Sequence, residues 1–196
     1  MNTLYTVLSG ADDGDKILIR FPDAFSFCRF TSWLKNNFGE IFWIVWTDAA
    51  VQRLNSLAKK YGLGNDQGVI VGSGMECGAI RCVERFDVYS DLRMVWKVKL
   101  LNSSARFVMN FGVDFLPEYG FPTSRVLEIL SEHDSDVLIN ATFGKFPPEY
   151  NVFHDVLIEF GVSEEEYVKY RGYFVKITYP IDNGIAEVGE KVTFNP

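Results

Sequence analysis

The sequence predicts an α/β protein in three layers: a mainly parallel sheet, helices on both of its faces, and a C-terminal β hairpin. Three observations carry this. Strand-like and helix-like segments alternate along most of the chain. The run Ile-Phe-Trp-Ile-Val-Trp at 41–46 is apolar throughout, as a strand covered on both faces requires. Two strand-like segments flank a turn at 180–184 and close the chain.

Taken in order, Leu4 and Leu8 lie in a short helical lead, and Gly-Ala-Asp-Asp-Gly-Asp marks a turn. Lys-Ile-Leu-Ile-Arg-Phe at 16–21 reads as a strand ending at Pro22. Phe25, Cys28, Phe30, Trp33 and Leu34 then form an apolar stripe at helical spacing, closed by Asn36-Asn37-Phe38-Gly39. After the strand at 41–46, Thr47-Asp48 offers an N-cap to a helix striped by Val51, Leu54, Leu57 and Ala58 and stopped at Tyr61-Gly62. Residues 68–72 read as a third strand. Residues 73–102 fit either a helix around 92–101 or a β ribbon.

Further strands are expected at 105–111 and 136–140, with a helix at 123–132 between them. Val152, Phe153, Val156, Leu157 and Phe160 predict one more helix, and Ser163-x-x-Glu166 a capping box opening a short acidic helix. Residues 173–179 and 185–194 form the closing hairpin. No repeat or low-complexity linker interrupts residues 1–196, which read as a single domain.

Composition limits the function. A chain of 196 residues, 47% apolar and 23% charged, has the material for a sizeable core. Seventeen phenylalanines supply that core or an apolar patch for a partner. A net charge of −7 without a long basic run argues against nucleic acid, and Lys59-Lys60 and Lys97-x-Lys99 are too few for a phosphate-binding stripe. Three cysteines, Cys28, Cys77 and Cys82, make an odd number without a second pair for zinc, so free thiols in a cytoplasmic protein are expected. No signal peptide and no apolar run of membrane-spanning length is read in the sequence.

The order of elements resembles the RecA superfamily, especially its KaiC-like branch. The residues that carry the likeness are the Asp- and Gly-rich turn before Lys16-Ile-Leu-Ile-Arg20, the helix from Ala49 to Gly62, and residues 106–132 and 173–196. In that family the last two hold the Walker B strand and late sheet strands. The resemblance implies a RecA/KaiC-like domain whose ATP site would lie after the first strand, in Gly-x-x-x-x-Gly-Lys-Ser/Thr.

At the matching place this chain has Arg20-Phe-Pro-Asp-Ala-Phe-Ser-Phe27, without glycine or lysine. Phe25 and Phe27 are expected to occupy the phosphate approach and Asp23 to repel a polyanion. A carboxylate about 4 Å from a phosphate charge costs on the order of 4 kcal/mol at an effective dielectric of about 20. Asn110 stands where the Walker B carboxylate is expected, and Asp114 replaces it only if that strand runs longer.

The chain thus resembles degenerate, non-catalytic relatives of KaiC-like ATPases, a habit found among archaeal proteins. The resemblance implies no catalytic residues and no cofactor, and a role in homo-oligomers or with a protein partner. One alternative is a small-molecule or metal-binding enzyme using the strand-end carboxylates Asp23, Asp48 and Asp114 beside Asn110. Another is a nucleic-acid-associated paralog. Gly72-Ser-Gly74 reads as a tight bend or an anion cradle. His133 is expected to be solvated at a helix end, and neither His133 nor His154 sits in a catalytic motif.

Overall fold

The structure is a computed structural model that describes residues 2–144, 148–161 and 172–194. Among the described residues, nine strands form one sheet. In chain order they are β1 Lys16–Arg20, β2 Ile41–Trp46, β3 Gln67–Val71, β4 Arg81–Phe86, β5 Phe107–Phe111, β6 Val137–Thr142, β7 Val156–Phe160, β8 Tyr173–Ile181 and β9 Gly184–Val192, and their spatial order is β4-β3-β2-β5-β6-β1-β7-β8-β9. The pairings from β4 to β7 are all parallel, and β8 and β9 join antiparallel.

The helices are α1 Thr3–Gly10, α2 Ala24–Phe38, α3 Asp48–Tyr61, α4 Met94–Asn102, α5 Thr123–Ser131 and α6 Pro148–Phe153, with a 3-10 helix at Val113–Tyr119. Strand side chains alternate between two faces. One face packs Ile17, Ile19, Trp43, Met109 and Phe111 against α1, α2 and α3. The other packs Leu18, Trp46, Val108 and Leu138 against α4, the 3-10 helix, α5 and α6. The parallel strands therefore all end at one edge of the sheet, where the loops into α2, α3 and the 3-10 helix lie. No described helix is long and apolar enough to cross a membrane.

Most of the expected elements are present. Thr47 caps α3, accepting from the Ala50 N–H at 3.3 Å, and Gly62 ends the helix in the left-handed conformation. Within residues 73–102 the helical alternative holds, as α4 at Met94–Asn102. No β ribbon forms there; the one strand of this segment, β4, pairs parallel with β3.

One expected element is wrong. Val156–Phe160 is not the continuation of a helix but strand β7, between β1 and β8. Apolar residues at 152, 153, 156, 157 and 160 fit a helical stripe, but Val156, Leu157 and Ile158 suit a strand equally, and pairing with two neighbours decides. The capping box at Ser163 and Glu166 lies outside the described residues.

Candidate functional site

The loop after β1 is short: β1 ends at Arg20 and α2 starts at Ala24, leaving Phe21, Pro22 and Asp23 between them. Asp23 is the N-cap of α2, and its carboxylate accepts the Ser26 N–H at 2.7 Å. The positive end of α2, where a phosphate would dock, thus carries the chain's own carboxylate.

Above it Phe21, Phe27, Phe111 and Phe143 pack together, with Phe21–Phe27 centroids at 5.3 Å and Phe27–Phe111 at 5.2 Å. Phe27 fills the expected phosphate approach and is fully buried. Phe25 does not: it turns to Tyr61 of α3 at 5.9 Å, beneath the Arg29 guanidinium. Arg20 faces the opposite side of the sheet, where Glu159 (2.8 Å) and Asn151 (2.6 Å) hold it.

Asp48, in the first turn of α3, meets the Gly72-Ser73-Gly74 bend after β3. Its carboxylate accepts the Ser73 N–H at 3.1 Å and the Ser73 hydroxyl. A Cβ at Gly72 would come within 2.5 Å of Asp48 Oδ1, so the close approach requires glycine there. Burial pushes the Asp48 carboxyl up, but the bonds from Ser73, the Met75 N–H and nearby Arg85 carry it below its ordinary value. The bend does cradle an anion, and the anion is Asp48. Thr47, just before it, has φ 85 and ψ 153, a strained region for a β-branched residue and a positive φ that no other described non-glycine shows.

Asn110 is fully buried and accepts the Trp46 indole N–H at 2.9 Å. It lies on the face away from α2. The end of β5 that faces α2 is Phe111. β5 stops at Phe111, and Asp114 follows in the 3-10 helix, where its carboxylate accepts the Thr142 hydroxyl at 3.2 Å. Burial raises the Asp114 pKa against the lowering effect of its own N–H and of Thr142. Asp114 lines a cleft of about 180 Å³ with Phe111, Gly112, Phe115, Phe143 and Arg53.

Asp23, Asp48, Asn110 and Asp114 therefore share an edge, but each is held by its own local partner. Among the described residues no group of three or more His, Cys, Asp or Glu is placed to hold a metal ion. Burial pushes the Cys28 thiol up to about 12, which removes it as a nucleophile near neutral pH.

Two buried polar clusters escaped the sequence reading. On the face away from α2, Asn140 of β6 is in register with Asn110 and bonds His154 Nε2 at 2.7 Å, while His154 Nδ1 donates to the Tyr150 carbonyl. At the opposite sheet edge His133, expected in solvent, is 2% exposed. It stacks on Trp96 at 4.6 Å and bonds Asp136 at 2.8 Å, and Asp136 also pairs with the buried Lys99 ammonium. The available signals were an asparagine inside the apolar Val-Leu-Ile-Asn-Ala-Thr strand and a lysine inside Val-Trp-Lys-Val-Lys-Leu-Leu.

No family model matches the chain. Among solved structures it is similar to a protein of Pyrococcus horikoshii OT3, with a TM-score of 0.60 and 14% identity over 98% of each chain, a likeness of fold alone. It is 37% identical over 191 residues to an uncharacterized protein of Archaeoglobus fulgidus, covering 97% of both chains. With that identity over nearly its whole length, the chain belongs to the family of the Archaeoglobus fulgidus protein.

Proposed function

We propose that this protein is a non-catalytic RecA/KaiC-like domain that acts as an interaction or regulatory subunit and has no working ATP site. The observation that carries the reading is that two backbone cradles at the strand-end edge, the start of α2 and the bend after β3, are filled from within. Asp23 occupies the start of α2, and Asp48 occupies the Gly72-Ser73-Gly74 bend. The parallel order β2-β5-β6-β1-β7 supports the RecA/KaiC-like part, because it brings the ends of β1 and β5 to one edge, as a nucleotide site made from those segments requires. What remains of such a layout is a sheet and its helices with exposed apolar side chains, among them Leu101 of α4 at 85% and Ile185 of β9 at 75%, suited to contact rather than chemistry.

Isothermal titration with Mg-ATP tests the proposal, with no saturable binding expected up to millimolar nucleotide. Micromolar binding would end it. A second reading, a small-ligand or cation site, is favoured by the cleft that joins Asp114 to Arg53. The same titration with free divalent cations and nucleosides scores it, and heat from either would favour it over an interaction role.

A further inference from the structure

We infer that the free edge of β9 is a self-association seam, on which two copies pair antiparallel about a two-fold axis at Gly189, with Glu187 of each copy against Lys191 of the other. The inference rests on the reading of the protein as an interaction subunit and names the surface and the occupant.

The direction of the backbone groups follows from the hairpin. A two-residue turn makes Ile181–Gly184 the closing pair of the ladder. Antiparallel pairs alternate between bonded and non-bonded, so Tyr179–Ala186, Ile177–Val188 and Val175–Glu190 exchange hydrogen bonds and Pro180–Ile185 does not. Pro180, which has no N–H, sits where none is needed. The Gly161 N–H donating to the Phe174 carbonyl at 2.8 Å fits the same alternation on the β7 side. The backbone N–H and C=O groups of Ile185, Glu187, Gly189 and Lys191 therefore point away from β8, at a sheet edge that no described strand covers.

That edge carries charged side chains but lacks two other usual protections, a proline and a bulge. β9 runs over Gly184–Val192 without proline and pairs β8 without a register shift. β4, at the other edge, is interrupted by a register shift opposite Gly68 and Val69, a device that blunts an edge. β9 is also held in place: the Glu190 carboxylate accepts the Thr3 and Leu4 N–H groups at 2.8 and 2.7 Å and ties the strand to the start of α1.

Charge selects both the occupant and the register. A two-fold at Glu187 would oppose like carboxylates, and one at Val188 would set Glu187 against Gly189. A two-fold at Gly189 sets Glu187 against the partner's Lys191 twice, in bonded positions, and extends the Lys176–Glu187 ion pair at 2.9 Å across the seam.

Sedimentation or light scattering over a concentration series tests the seam. The wild type is expected to dimerise. Lys191→Glu and Glu187→Lys each place two like-charge pairs across the axis and should weaken the dimer about tenfold or more, and the double variant Glu187→Lys/Lys191→Glu should restore it. Gly189→Pro removes two outward N–H donors per dimer, so it should yield a monomer with unchanged circular dichroism. A wild type that stays monomeric at every concentration overturns the seam and self-assembly together. A dimer indifferent to these changes, or one that the double variant fails to restore, overturns the seam alone and leaves assembly to another surface.

Discussion

His154 stores a pH dependence in a single side chain. Only an N–H can meet the Tyr150 carbonyl, so Nδ1 carries the proton and Nε2 accepts from Asn140. Burial, assisted by Lys16 and Arg20 and opposed by the Tyr150 carbonyl and Asp155, lowers the ring from its ordinary 6.5 to about 4. The unfolded chain takes up its proton near 6.5 and the folded chain only near 4. The stabilisation is therefore complete above the unfolded value and is lost as pH falls towards the folded one. Between about pH 7 and about pH 4.5 this one residue should remove about 2–3 kcal/mol. Urea unfolding at the two pH values should show that loss in wild type and a shallower one in His154→Gln. Equal slopes would show that His154 is not the group responsible.

At the scale of elements, the end of β5 depends on one glycine. Gly112 has φ 85, and a Cβ there would lie 2.2 Å from the Ala50 Cβ and 2.7 Å from the Trp46 carbonyl. The crossing of the 3-10 helix over the start of α3 thus exists because residue 112 has no side chain. Gly112→Ala combines a left-handed backbone with overpacking and should cost about 2–5 kcal/mol in chemical denaturation. A change within about 0.5 kcal/mol would show that the crossing is loose. Local signals made α2 and α3 legible: an apolar stripe closed by Asn36-Asn37-Phe38-Gly39 for the first, and Thr47-Asp48 before a stripe ending at Tyr61-Gly62 for the second. β7 was not legible, since its five residues become a strand only by pairing with β1 and β8.

For the whole molecule, the ATP site inferred to be lost is closed by segments far apart in the chain. Phe21 and Phe27 come from the β1–α2 region, Phe111 from the end of β5 and Phe143 from beyond β6. Restoring glycines and a lysine within residues 22–27 should therefore not restore Mg-ATP binding. The β5 side chain facing α2 would still be Phe111, and Asn110 would still be bonded to Trp46 on the other face. Titration of the loop-restored variant decides this: micromolar binding by the variant alone would show that the loop was the only obstacle.

The α/β class, the order of most elements and the absence of a phosphate loop were determined by the sequence alone, because periodicity, caps and missing glycines are local properties. The same local signals placed Asp23, Asp48 and Asp114 after strands and could not say what each one binds. Asp48 meets Ser73 twenty-five residues away, and Asp114 meets Thr142 across two strand ends. Asn110, adjacent in sequence to Phe111, faces the other side of the sheet. His133 appeared solvated because its neighbours Glu132, Asp134 and Ser135 are polar, yet Trp96 and Asp136 enclose it. Only the tertiary structure decided these, since the partners of Asp48, Asp114, Asn110 and His133 lie on chain segments that meet only after the sheet has assembled, whereas Asp23 caps its own helix.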